Sequence, residues 1–299
     1  MKLHYFEWSP KDFAPNGPRA VQPLVFLHGM GGTGQIWRPI GAALEDEYRC
    51  IALDQRGHGL SRPIPEADPT YHALDYARDV VETLATLNID SFYLIGHSMG
   101  VRTALAVAHL IPEKVKGLVA VDIGISSEWG GGIGLPLAKF LGELPETFPD
   151  RESLKEYVTR ECPDPAIAQY LIAVSKKVSD PSESNAEELG TKNSAGSANE
   201  VWIFPFDHQA LVKTIYQAND APLGDWVMEA AEAGVRMAFL RGEKSKVWLK
   251  EDYEAQRAQY QHPLLCFEEW ENCGHGLPFE QRARFIQFIR DFVVAEPII

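Results

Sequence analysis

An apolar run, Phe92 to Ile95, leads into Gly96-His97-Ser98-Met99-Gly100, and an Ala-rich stretch with helical character follows at once. No other feature constrains the fold as much. Gly-x-Ser-x-Gly between a strand and a helix makes a turn so sharp that the serine hydroxyl projects above the sheet. Gly96 and Gly100 are expected because strand and helix pass too close there for a side chain, and Ser98 is expected in strained backbone. The pentapeptide alone is a weak signal, so its flanks and the motifs elsewhere must carry the reading.

The surrounding pattern fits a parallel sheet. Short continuous apolar runs recur at Leu24–Leu27, Cys50–Leu53, Phe92–Ile95, Gly117–Val121, Met237–Leu240 and Leu264–Phe267. Continuous runs, rather than alternation, suit strands buried on both faces. Helical patterns fall between them, at about 35–45, 74–87, 99–111, 253–259 and 279–293. The last carries Phe285, Ile286, Phe288, Ile289, Phe292 and Val293 as a stripe that faces the sheet. Such alternation predicts a doubly wound sheet, with ligands at the carboxyl ends of the strands.

Between Val121 and Val235 the alternation stops, and only helical patterns remain: 135–141, 153–161, 166–178 and 207–218. This predicts a helical cap at 126–232, inserted into a core of 1–125 and 233–299. Within it, 179–200 is polar and reads as a mobile loop. The cap and its borders hold Trp129, Phe140, Phe148, Trp202, Phe204, Phe206 and Trp226. Of these, Trp129, Trp202 and Phe206 are candidates to line a substrate pocket, while most of the group reads as the cap's own core.

Composition narrows the partners. A chain of 299 residues with a net charge of −14 lacks the clustered cations that nucleic acid or an anionic membrane requires. No run reaches the ~18 apolar residues of a membrane span, and the first residues alternate like a strand rather than a signal peptide. Cys50, Cys162, Cys266 and Cys273 have no metal-ligand spacing. Cys50 and Cys266 fall in predicted core strands, which favours free buried thiols over disulfides. A cytoplasmic protein without a metal site is expected.

A serine displayed on such a turn needs a base, a carboxylate to orient that base, and donors for an oxyanion. His28-Gly29-Met30-Gly31-Gly32 follows a strand and leaves backbone amides free, which makes Met30 one donor and Met99, next to the serine, the other. His28 itself reads as a brace for that loop. His275, in Asn272-Cys273-Gly274-His275-Gly276 after the last strand, is the candidate base. His97 reads as structural, and Asp54 and Arg56, in the loop that holds His58, as residues that fix a turn. Arg56 and Arg102 read as members of structural ion pairs.

Taken in order, His28-Gly29, Asp54-x-Arg56-Gly57-x-Gly59, Gly96-x-Ser98-x-Gly100 and Gly274-His275 resemble the α/β-hydrolase superfamily over the core. The resemblance implies a mostly parallel central sheet flanked by helices, with a helical cap inserted after the sixth strand. A single N-terminal strand suggests that one edge strand is missing. The resemblance also implies serine-dependent acyl transfer on a small-molecule ester, with no cofactor. Members usually carry the acid of the triad in Gly-x-x-Asp after the seventh strand, where this chain has Gly242-Glu243-Lys244-Ser245. Two carboxylates are available instead. Asp122 ends the sixth strand, a position some members use, and Glu243 lies on the usual loop two residues early. Asp122 is the favoured acid. Other serine-triad chemistry, such as C–C bond hydrolysis or a lyase reaction, stays open, as does a ligand-binding protein without turnover.

Overall fold

The computed structural model describes residues 1–11, 23–62, 64, 67–126, 134–179, 200–217 and 221–294. Trp129 and most of the polar stretch 179–200 lie outside the described residues. The strands are β1 (Tyr5–Trp8), β2 (Pro23–Leu27), β3 (Arg49–Leu53), β4 (Phe92–His97), β5 (Val115–Val121), β6 (Lys176–Ser179), β7 (Glu200–Ile203), β8 (Arg236–Gly242) and β9 (Leu265–Trp270). The helices that matter for the site are α1 (Arg38–Leu44), α2 (Ala73–Thr86), α3 (Met99–Leu110), α4 (Gly134–Gly142), α5 (Arg151–Glu161) and α6 (Pro165–Val174). They continue with α7 (His208–Gln217), α8 (Leu223–Glu232), α9 (Lys250–Gln259), α10 (Leu277–Glu280) and α11 (Arg282–Val294).

Seven strands form the main sheet in the order β1-β3-β2-β4-β5-β8-β9. All neighbours are parallel except β1, which runs antiparallel to β3. Asp122 therefore follows the fifth described strand in chain order. The order reverses between β2 and β4: the chain leaves β2 toward one edge and β4 toward the other. A crevice opens at the carboxyl ends of strands at such a switch point, and the turns after β2 and β4 border it.

The apolar runs are continuous because consecutive residues face opposite layers, both dry. Val25, Leu27, Ile51, Leu53, Leu94, Leu118 and Phe239 pack under α2, α3 and α8. Leu24, Phe26, Cys50, Ala52, Ile95, Val119 and Leu240 pack under α1 and α11. The stripe on α11 faces the sheet as its spacing predicts, with Phe285, Ile286, Ile289 and Phe292 buried. The single predicted helix over 279–293 is divided at Gln281 into α10 and α11.

The insertion departs from its expected form in two ways. It is not purely helical: β6 and β7 pair as an antiparallel two-stranded sheet, so the helix expected over 166–178 stops at Val174. Lys-Lys-Val-Ser in β6 is largely exposed and carries too little apolar signal for its period to be read. The insertion also ends sooner than the expected boundary at 232. Leu223, Trp226, Val227, Ala230 and Ala231 of α8 pack in the layer under α3, not with the cap. The cap's own cluster instead joins Leu137, Phe140, Leu141, Phe148, Leu154, Leu171, Phe204 and Phe206. Cys266 is a further correction. It is exposed, because β9 is an edge strand; Cys50 is buried, and all four cysteines are free.

Phe285 is fully buried, with its ring 6.3 Å from those of both Trp37 and Trp270. Phe285→Ala is expected to cost about 3–5 kcal/mol of stability, read as a lowered urea midpoint. A midpoint unchanged from the parent would contradict the packing described.

Candidate active site

Ser98 stands at the N-terminus of α3 with φ 52 and ψ −122, a sparsely populated conformation for a side chain other than glycine. The turn holds this strain through its two glycines. A Cβ at position 96 would lie 2.6 Å from the Gly100 carbonyl oxygen, and one at position 100 would run into the carbonyl oxygen of Leu27. Ser98 N–H donates to Val121 O at 2.9 Å, and Val101 N–H donates to Ser98 O at 2.9 Å, so the residue is bound to β5 and to its own helix.

A cavity of about 660 Å³ brings Ser98 and His275 together. Met30 and Gly29 border it from the turn after β2, and Gly274 and Gly276 from the loop after β9. Leu137, Leu141, Tyr170 and Leu171 close it from the cap. Met99 is buried beside Ser98 as the first residue of α3. Its amide is one of the four that a helix start leaves without an intrahelical acceptor.

His275 Nδ1–H donates to Asp122 Oδ2 at 2.8 Å. The same oxygen accepts from Ser245 Oγ at 2.5 Å, while Asp122 Oδ1 accepts from Gly242 N–H at 2.8 Å. A fully buried carboxylate is tolerated only with such hydrogen bonds in place. Asp122 adopts φ 56 at the end of β5, a left-handed conformation that Asp accepts more readily than most residues. Glu243, the other candidate, is directed elsewhere: it is exposed, and its Oε2 accepts from Asn272 N–H at 2.8 Å. Ser245 occupies the position where an aspartate was expected, and it points a hydroxyl at Asp122. An aspartate there would set two carboxylates against each other.

The turn after β2 rests on buried histidines. His28 Nδ1–H donates to Gly29 O at 2.8 Å, and its Nε2 accepts from Gln55 N–H at 3.0 Å. Gln55 returns a bond from Nε2 to His28 O at 2.6 Å and accepts from Thr103 Oγ1 on α3. His58 Nδ1–H donates to Arg56 O at 2.8 Å, and its Nε2 accepts from Gly31 N–H at 3.1 Å. Burial is the main cause that lowers these two histidines, His28 to about 4 and His58 to about 3, so both are neutral and able to accept. The expectation that His28 braces its loop stands. The role of His58 in holding Gly31 was not legible, because its partner is 27 residues away.

His97 borders the cavity rather than merely following the elbow. Its Nε2–H donates to the His275 carbonyl oxygen at 2.8 Å, and the two rings lie 4.7 Å apart. Burial, followed by the neighbouring His275, lowers it to about 3. Arg56 lies in a buried pair with Asp79, at 2.7 and 3.0 Å, and Arg102 Nη2 donates to Ser126 O at 3.1 Å. Of the aromatic pocket candidates, Trp202 and Phe206 are not among the residues that border the cavity. Phe206 is buried in the cap cluster against Phe204, with ring centres 5.3 Å apart. Trp202 stands in β7 beneath the Arg151 guanidinium, 5.3 Å above its ring. Trp129 lies outside the described residues. Tyr170, Lys244 and Lys246, which do border the cavity, were missed; Tyr170 looked like any apolar position on an amphipathic helix. Among the described residues no cluster of histidine, cysteine or acidic side chains is arranged to hold a metal ion, and no helix is long and apolar enough to cross a membrane.

Comparison with known proteins agrees with the fold. The family model for the alpha/beta hydrolase fold matches residues 22–234, and the chain belongs to that family. It is similar to 2-(acetamidomethylene)succinate hydrolase of Mesorhizobium japonicum, 36% identical over 99 residues, which are 33% of this chain and 34% of that one. It is also similar to Esterase YbfF of Escherichia coli, 35% identical over 101 residues, 34% of this chain and 38% of the relative. The chain thus aligns with little more than a third of the length of these relatives. Among solved structures, a marine microorganism esterase superposes with a TM-score of 0.71 at 21% identity, covering 98% of this chain and 99% of that one. A crystal structure of E-2-(acetamidomethylene)succinate hydrolase gives a TM-score of 0.71 at 22% identity, over 98% of this chain and 95% of its own.

Two outcomes follow from the site's construction. Gly100→Ala, which in an ordinary helix adds about 0.5–1 kcal/mol, is expected instead to destabilise by about 1–3 kcal/mol through the clash with Leu27. Thermal melts of the two proteins give the sign directly. The histidines set a pH dependence. His28, His58 and His97 bind protons more weakly when folded than when unfolded, where their ordinary value is 6.5. Their contribution is complete above about pH 6.5 and is lost as pH falls to about 3–4. The melting temperature is expected to fall across that window, and less steeply in His58→Gln. An equal slope in parent and variant would contradict the assignment.

Proposed function

We propose that the protein is a serine hydrolase that cleaves carboxylic esters or thioesters through an acyl-enzyme on Ser98. The observation that carries this reading is the placement of Ser98 and His275 on one cavity while Asp122 accepts the His275 Nδ1 proton. That bond leaves Nε2 as the unprotonated nitrogen of the neutral ring, the state a general base requires.

In the first step Ser98 Oγ attacks the carbonyl carbon, and His275 Nε2 takes the hydroxyl proton. The imidazolium so formed is stabilised by the Asp122 carboxylate, which stays ionised. The amides of Met30 and Met99 donate to the oxyanion; one such donor is typically worth roughly 3–4 kcal/mol in the transition state. His275 then protonates the departing alcohol or thiol, and the acyl-enzyme forms. Water enters, gives its proton to His275 and attacks the acyl carbon, and the collapse of the second tetrahedral intermediate frees Ser98. The strained backbone of Ser98 and the fixed turn at Met30 support this reading, because both present their groups before substrate arrives. The insertion acts as the cap of such an enzyme, bordering the cavity with Leu137, Leu141, Tyr170 and Leu171. Cleavage of esters is also what the name of the similar Escherichia coli protein describes.

Hydrolysis of p-nitrophenyl acetate tests the proposal. Ser98→Ala is expected to abolish turnover and labelling by a fluorophosphonate. Asp122→Asn is expected to lower kcat by about ten-thousandfold, while Glu243→Gln stays within about twofold, as befits an exposed residue whose bond to Asn272 a neutral amide oxygen keeps. Loss of activity in Glu243→Gln with retention in Asp122→Asn would move the acid to the loop after β8. An unlabelled serine together with no turnover of any activated ester would refute the hydrolase reading.

A further inference from the structure

Ser98 and His275 follow strands that do not touch. Between β4, which leads into the elbow, and β9, which leads to the base, stand β5 and β8. Three strand spacings of about 4.8 Å put roughly 14 Å between those two strand ends. The loop after β9 must therefore reach back across two strands to bring an imidazole to the serine. Its own sequence does little to hold it there, because Gly274 and Gly276 flank His275 and glycine leaves the backbone freest. Bonds from outside hold it instead. The Glu280 carboxylate accepts from Gly274 N–H at 2.9 Å and from Gly276 N–H at 3.1 Å, which shapes the loop locally. Lys244 N–H donates to Cys273 O at 2.9 Å and ties the loop to the one after β8, while Asp122 ties the His275 ring to the end of β5. Neither of these ties reaches β4.

His97 does reach across. It is the residue before Ser98, it is buried, and its Nε2–H donates to the His275 carbonyl oxygen at 2.8 Å. A carbonyl oxygen only accepts, so the proton of the neutral ring sits on Nε2. The ring lies 4.7 Å from that of His275 and edge-on to Phe279 at 5.9 Å, and its Nδ1 would stand 3.2 Å from a Cβ at position 29. It thus spans the gap between the turn after β2 and the loop after β9. An apolar ring would fill that gap equally well; imidazole adds one donor aimed at one carbonyl. We propose that His97 is a positioning residue: by holding the His275 backbone it sets the distance between Ser98 Oγ and His275 Nε2. This rests on the serine hydrolase reading above and gives its base a second point of attachment. Asp122 fixes one atom of the imidazole, about which the ring could still pivot; the bond to the carbonyl removes that freedom. A misplacement of about 1 Å at such a site costs on the order of a hundredfold in rate. Burial keeps His97 neutral, lowering it to about 3, so its part is to hold rather than to exchange protons.

The test compares the parent protein with His97→Phe, which keeps the ring and loses the donor, and with His97→Gln, whose amide N–H can take the place of Nε2–H. Turnover of p-nitrophenyl acetate is expressed per active site, counted by labelling Ser98 to completion with a fluorophosphonate. His97→Phe is expected to lower kcat per labelled site by between about tenfold and about a hundredfold. KM is expected to stay within about twofold, since the base serves both half-reactions. His97→Gln is expected to recover most of the lost kcat. A merely structural role would lower the melting temperature or the number of labelled sites and leave kcat per site unchanged, and that result would overturn the proposal. So would a His97→Gln protein that folds yet is as slow as His97→Phe, because His97 would then act as a proton carrier. These results are distinct from failure of the hydrolase reading, in which the parent protein turns over no activated ester and Ser98 resists the label.

Discussion

Three donors from two parts of the chain converge on the carboxylate of Asp122: the amide of Gly242, the hydroxyl of Ser245 and the imidazole of His275. Through them the end of β5 is joined to the loop after β8 and to the loop after β9. These are consecutive strands of the sheet, so one buried charge fixes the relative position of their carboxyl ends. A buried carboxylate would be too unfavourable to keep without such bonds, and the bonds in turn require these loops in these places. The same charge sets the tautomer of His275 and so decides which of its nitrogens is free for chemistry. Packing of the sheet and readiness of the site are in this sense one constraint.

The opposite wall of the cavity is held by a different device. His28 and His58 each donate from one ring nitrogen and accept at the other, and both stay neutral because they are dry. Together they bind the turn at Gly29–Gly31 to the loop after β3, with Gln55 and Thr103 continuing the network to α3. The amides of this turn and of Met99 are thus oriented without help from a ligand. A charge anchors one side and a set of neutral polar bonds anchors the other, with Ser98 between them on a turn that only two glycines permit.

Much of this was legible in the sequence, and the reasons are particular. Gly96 and Gly100 could be read because steric exclusion leaves no alternative residue at such a crossing. The strands were legible as continuous apolar runs because both faces of the sheet are buried. Asp122 was legible as a carboxylate at a strand end, yet composition alone could not separate it from Glu243. What separates them is the position of Ser245, 123 residues further along the chain, and no local pattern encodes that contact. The cap was harder for a related reason. Aromatic density around Trp202 and Phe206 announces a core without saying which cavity it faces, and the polar β6 has no period to detect. Cys266 shows the same limit, since a strand's apolar content does not reveal that it lies at an edge.

The central claim is that the Asp122 carboxylate holds the Nδ1 proton of His275. Proton NMR reads that bond most directly, as a strongly downfield imidazole N–H resonance. The account expects this resonance in the parent protein, its loss in both His275→Gln and Asp122→Asn, and its survival in Glu243→Gln. A resonance that persists in Asp122→Asn, or disappears in Glu243→Gln, would contradict it.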